Sequence, residues 1–127
     1  MTARESFDEF RSRHDEEVKA IASFLSEGLP DDFEMMCGKA KHAVALYSRC
    51  VNLAAWAMSF YKQSCFEALI SRENVTELDR KVRMEAETAP QRRYREILEG
   101  YTFALDRMIS LSQTLIKATG NERNKTQ

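Results

Sequence analysis

The chain has 127 residues, 43% hydrophobic and 31% charged, with a net charge of −1 and a mean hydropathy of −0.51. That length gives one domain with a real core and excludes two independent ones. The near-neutral charge is unlike that of a dedicated nucleic-acid strand binder, and three cysteines without Cys-x-x-Cys spacing supply neither a disulfide framework nor a zinc site.

The first element is predicted as a helix over about residues 3–26. Thr2 followed by Glu5 is a capping pair, and Phe7, Phe10, Val18, Ile21, Phe24 and Leu25 recur on one face before Gly28 and Pro30 stop the helix. His14 lies in the charged stretch from Arg11 to Lys19 and is expected to be solvated. Residues 1–32 carry a net −5, residues 33–72 a net +3 and residues 73–127 a net +1, so the first two segments are expected to pair through complementary flanks. The opening Met1-Thr2-Ala3-Arg4-Glu5 lacks the apolar centre of a signal peptide, and a cytoplasmic protein is expected.

The second element, about residues 33–72 with Asp31 and Glu34 as its capping pair, organises the chain. Phe33, Cys37, Ala40, Val44, Tyr47, Val51, Ala54, Met58, Tyr61, Cys65 and Ala68 advance by alternating steps of four and three, the period of a bundle seam. Further apolar columns run beside it, Leu46, Leu53 and Phe60 in one and Met36, Ala43, Cys50 and Ala57 in another. So broad a face exceeds what a few helices of one chain can cover, which predicts a homo-oligomer. Arg49 and Asn52 interrupt the Val44 to Tyr61 stretch, leaving it short of the roughly 20 apolar residues a membrane span needs. Cys37, Cys50 and Cys65 all fall on this helix, too far apart to bridge within it, and read as buried reduced thiols.

A third helix is predicted over about residues 75–88, opened by Asn74 and Glu77, with Val75, Leu78, Val82 and Ala86 as its apolar positions. Pro90 then predicts a break or kink, because proline suits a first turn and disfavours helix in the residue before it. A fourth helix over about 90–118 carries Tyr94, Leu98, Tyr101, Leu105, Met108, Ser112 and Leu115, and Gly120 opens a polar tail over 120–127. The expected fold is all-α: one domain over 1–119, an elongated three-to-four-helix antiparallel bundle built on one long central helix.

Nothing in this pattern carries catalysis. Di-iron bundles need Glu-x-x-His, but Arg11 and Lys39 stand three positions before His14 and His42. There is no phosphate-binding glycine loop and no nucleophile beside a base, so a non-enzymatic protein without metal or cofactor is expected. Two basic clusters, Arg80, Lys81 and Arg83, then Arg92, Arg93 and Arg95 around Tyr94, are candidates for holding phosphates and stacking a base. Acidic residues interleave with them at helical spacings, which also suits a solvent-facing helix. Trp56, Phe60, Phe66 and Ile70 are the candidates for a protein-docking face.

The stretch Ala43-Val44-Ala45-Leu46-Tyr47-Ser48-Arg49-Cys50-Val51-Asn52, with Tyr94, Ala104-Leu105-Asp106 and Ile109 near the end, resembles the small helical recombination mediators of bacteriophages, of the UvsY type. The resemblance implies an oligomeric helical accessory protein of recombination or replication that engages single-stranded DNA or a recombinase. That family's DNA-binding segment after the central helix is rich in Lys, Arg and Tyr, whereas this chain has Glu67-Ala68-Leu69-Ile70-Ser71-Arg72 there. The other reading is a protein-binding module, such as an assembly chaperone, an adaptor or an inhibitor of a host defence enzyme, acting through an apolar helix face.

Overall fold

The computed structural model describes residues 5–70 and 76–125, with side chains described as far as residue 122. Those residues form three helices, α1 (Phe7–Ser26), α2 (Phe33–Ile70) and α3 (Glu77–Lys125), with no strand among them. The fold is all-α, as the periodicity predicts.

Each helix begins at a side-chain cap, though not where the capping pairs predict. Ser6 Oγ accepts the Glu9 amide at 3.1 Å and opens α1, and the Thr2 cap lies outside the described residues. Asp32, not Asp31, opens α2, its Oδ1 accepting the amides of Glu34 at 2.8 Å and Met35 at 3.2 Å. Thr76 Oγ1 accepts the Asp79 amide at 3.3 Å at the start of α3, while Asn74 lies outside the described residues. Every capping acceptor satisfies amide groups that have no partner inside the helix. α1 stops at Gly28, whose φ of +70° suits glycine and whose amide donates to the Leu25 carbonyl at 3.4 Å.

Pro90 neither breaks nor ends a helix. The predicted helices over 75–88 and 90–118 are one, and it continues past Gly120, so part of the predicted tail is helical. Pro90 removes the amide that would bond to the Ala86 carbonyl, and both residues are exposed. One turn back, the Thr88 hydroxyl donates to the Met84 carbonyl at 2.6 Å and Thr88 is buried, so packing holds the segment through the proline. The chain therefore carries two long helices where one was expected. α2 has 38 residues and α3 has 49, about 57 and 74 Å at 1.5 Å per residue.

α2 and α3 form an antiparallel hairpin. The Cys50 thiol donates to the Leu98 carbonyl at 3.4 Å and accepts from Thr102 Oγ1 at 3.3 Å, whereas farther along α2 Met58 meets Arg95. α1 lies along the middle of the hairpin, antiparallel to α2: Phe7 meets Phe60 and Tyr94, Glu17 meets Arg49, and Glu27 meets Lys39. The core joins all three helices through Phe10, Ile21, Phe24, Leu53, Leu98 and Leu105, each such side chain contributing about 1.5–3 kcal/mol. The face of α2 turned inward differs from the predicted seam. Met36, Ala43, Cys50 and Ala57 are buried, while Val44 and Val51 of the predicted seam are exposed. These two sets sit one residue apart, about 100° around the helix, and a helix apolar on several columns leaves that choice to its neighbours.

Candidate interaction faces

The six predicted phosphate-binding residues do not come together. At about 100° per residue, Lys81, Arg92 and Arg95 share one side of α3, while Arg83 and Arg93 point to other sides. Arg95 is folded back on α2, its guanidinium 4.9 Å from the Tyr61 ring and its Nη1 3.4 Å from Met58 Sδ, with Glu99 and Glu96 carboxylates each at 3.9 Å. Arg80 and Arg92 are half-buried, and Lys81, Arg83 and Arg93 are exposed. Tyr94, expected as the stacking residue, is only 9% exposed. Its ring packs edge-on against Phe7 at 5.7 Å and Phe10 at 6.2 Å, so no base reaches its face. Burial also pushes its phenol pKa above the usual value.

The predicted protein-docking residues divide into two groups. Phe60 is half-buried, 4.9 Å from Phe10 and 6.1 Å from Phe7, and belongs to the core edge. Trp56 is partly engaged: Phe10 stands at 6.3 Å, His14 at 5.9 Å, and the Arg49 guanidinium lies 5.4 Å over the ring. A shallow cleft of about 250 Å³ opens beside it between Glu5, Arg13, Phe60 and Gln63, with the Arg13–Glu5 ion pair at its rim at 2.9 Å. Phe66 and Ile70, by contrast, are 63% and 56% exposed. They sit one turn apart on the part of α2 that extends beyond α1.

Sequence reasoning missed two features. Leu78 and Val82, read only as apolar positions of the predicted third helix, are 73% and 57% exposed, again one turn apart and again beyond the reach of α1. Among the described residues only α2 and α3 face each other at this end, through Ser64 and Ala68 on one side and Thr88 and Gln91 on the other. An isolated two-helix tip buries one stripe of each helix, so every other apolar residue there stays in water. The second feature is His14, which is buried rather than solvated. Its Nδ1 lies 3.2 Å from Glu17 Oε2, and Arg49 binds Glu17 through both Nε and Nη2, the latter at 3.1 Å. The Arg49 guanidinium holds the Glu17 carboxyl below the usual value of 4.5. The spacing of His14 and Glu17 was visible in the sequence, but the covering rings of Phe10 and Trp56 come from tertiary packing. This cluster ties α1 to α2.

No cluster of three or more His, Cys, Asp or Glu suited to a metal ion occurs among the described residues, and no described helix is long and apolar enough to cross a membrane. The class that fold and faces define is a three-helix protein built on a long α2–α3 hairpin, with α1 as a brace and an apolar two-helix tip. Comparisons with protein-family models, with curated proteins and with solved structures find no match to this chain.

Proposed function

We propose that the chain is a non-enzymatic, oligomeric accessory protein that works through protein contacts made by its apolar helix faces. One observation carries this reading: Phe66, Ile70, Leu78 and Val82 stay exposed at the hairpin tip, where no third helix covers them among the described residues. Exposed large apolar residues grouped at i, i+4 spacing are what a partner helix or groove engages. A second reading, a phage-type recombination or replication mediator that binds single-stranded DNA, draws on the UvsY-type resemblance and on the exposed Lys81, Arg83 and Arg93. Within the first reading, a recombinase is one protein such a tip could hold.

The test is capture of partners from the producing cells by immobilised protein, with two double variants beside the wild type. Leu78→Asp with Val82→Asp should abolish capture while leaving the fold intact, because both side chains are in water. Arg92→Glu with Arg93→Glu should leave capture unchanged. Loss of capture in the charge-reversed variant alone would overturn the reading in favour of the mediator.

A further inference from the structure

Arg95 is a cation short of acceptors. Its side chain is 20% exposed and folded back from α3 onto α2, with the guanidinium 4.9 Å from the Tyr61 ring. The Glu96 and Glu99 carboxylates stand 3.9 Å away, near enough to offset its charge but beyond hydrogen-bonding distance. Nε is buried and has no acceptor among the described residues. The hydrogen bond that the guanidinium does make runs from Nη1 to Met58 Sδ at 3.4 Å, and a thioether sulfur is a weak acceptor. A charged donor that joins the two long helices therefore lacks an oxygen partner within hydrogen-bonding distance.

Met58 adds a separate observation. Among the described methionines it alone has a hydrogen-bond donor at its sulfur. Met35 is 64% exposed, Met36 is buried, and Met84 and Met108 are half-buried, each without one. Met58 is itself half-buried rather than enclosed, which leaves a route for a solute as small as hydrogen peroxide. Oxidation of a methionine in a packed region ordinarily loosens it, because an apolar side chain becomes polar and its new oxygen finds no donor. At Met58 the donor is already in place.

We infer that Met58 and Arg95 form a redox-sensitive joint across the α2–α3 hairpin. Hydrogen peroxide transfers one oxygen to Sδ: the O–O bond breaks, the sulfur loses two electrons as the S–O bond forms, and the other oxygen leaves as water. The sulfoxide oxygen then replaces the sulfur as acceptor for Nη1, in a charge-assisted bond stronger than the N–H···S contact it succeeds. The oxidised chain holds α2 to α3 more tightly than the reduced one, the reverse of the usual outcome. Neither residue belongs to the exposed tip, so the joint stands or falls apart from the docking role.

The test uses a background carrying Met35→Leu, Met84→Leu and Met108→Leu, exchanges of similar volume that leave the chemistry at Met58 to dominate. The folded protein is treated with hydrogen peroxide, peptide masses locate the added oxygen, and a circular-dichroism melt follows. Met58 should take up one oxygen while the protein is folded, and the melting temperature should rise by about 3 °C or more. With Arg95→Leu added, the same oxidation should lower the melting temperature, because the oxygen has lost its donor. Met58→Gln, which sets an amide oxygen near the place of the sulfoxide oxygen, should melt above Met58→Leu with no oxidant present. Resistance of Met58 to peroxide in the folded protein, a lower melting temperature after oxidation, an equal rise in the Arg95→Leu protein, or a Met58→Gln protein less stable than Met58→Leu would each overturn the proposal.

Discussion

At the residue scale, the link between α1 and α2 is a matter of protonation as well as packing. Glu17 accepts from Arg49 and stands beside His14, so its folded pKa lies below the ordinary 4.5. A carboxyl stabilised in its charged form adds stability that is present above its unfolded pKa and disappears as pH falls through and below that value. Both partners are partly exposed, so the contribution is on the order of 1 kcal/mol. Glu17→Gln should lower the melting temperature at pH 7 and flatten its dependence between about pH 5 and pH 3. An unchanged acid slope in chemical or thermal melts would contradict the role given to this pair. His14 shows what the sequence withholds at this scale. Its flanks are charged, but Phe10 and Trp56, one on the same helix and one on the next, close over it.

At the element scale, the all-α class was legible, because an apolar period is a local feature, whereas the caps fell at Ser6, Asp32 and Thr76 rather than at the residues of the predicted capping pairs. The rotation of α2 was not. Several of its columns are apolar, and the column that turns inward is decided by α3, which offers Leu98 and Leu105 to Ala43, Cys50, Leu53 and Ala57. The break that Pro90 predicts as one of two outcomes does not occur, for the same reason: its local preference is to start or end a helix, and the burial of Thr88 against α2 outweighs it. A helix-interior proline that is merely tolerated costs about 3 kcal/mol or somewhat less where water reaches the freed carbonyl. Pro90→Ala should therefore stabilise the protein by about 1–3 kcal/mol in denaturant melts without changing helix content. Destabilisation would mean that the proline shapes the tip.

At the scale of the whole molecule, the separation of charge along the sequence does not become a binding stripe. The acidic first segment faces α2 through Glu17–Arg49 and Glu27–Lys39, so part of its charge is spent inside the fold. The basic residues of α3 spread around the helix, Arg95 is held by Tyr61 and Glu99, and Tyr94, the aromatic between Arg93 and Arg95, is buried. What remains prominent is apolar: Phe66, Ile70, Leu78 and Val82 at the tip, and Ile97, Phe103 and Leu111 farther along α3. Phe66 and Ile70 were recognisable as docking candidates because they fell outside the predicted seam. Leu78 and Val82 were not, because a short amphipathic period reads the same whether its partner lies in the same chain or in another.

The most direct test of a protein-contact role over a nucleic-acid one is fluorescence anisotropy of a labelled single-stranded oligonucleotide titrated with the wild-type protein at low salt. A protein that works through its apolar faces gives no saturable, salt-sensitive rise in the micromolar range. A saturable rise that vanishes at moderate salt, and that Arg92→Glu with Arg93→Glu abolishes, would contradict it and return the basic residues of α3 to the centre of the account.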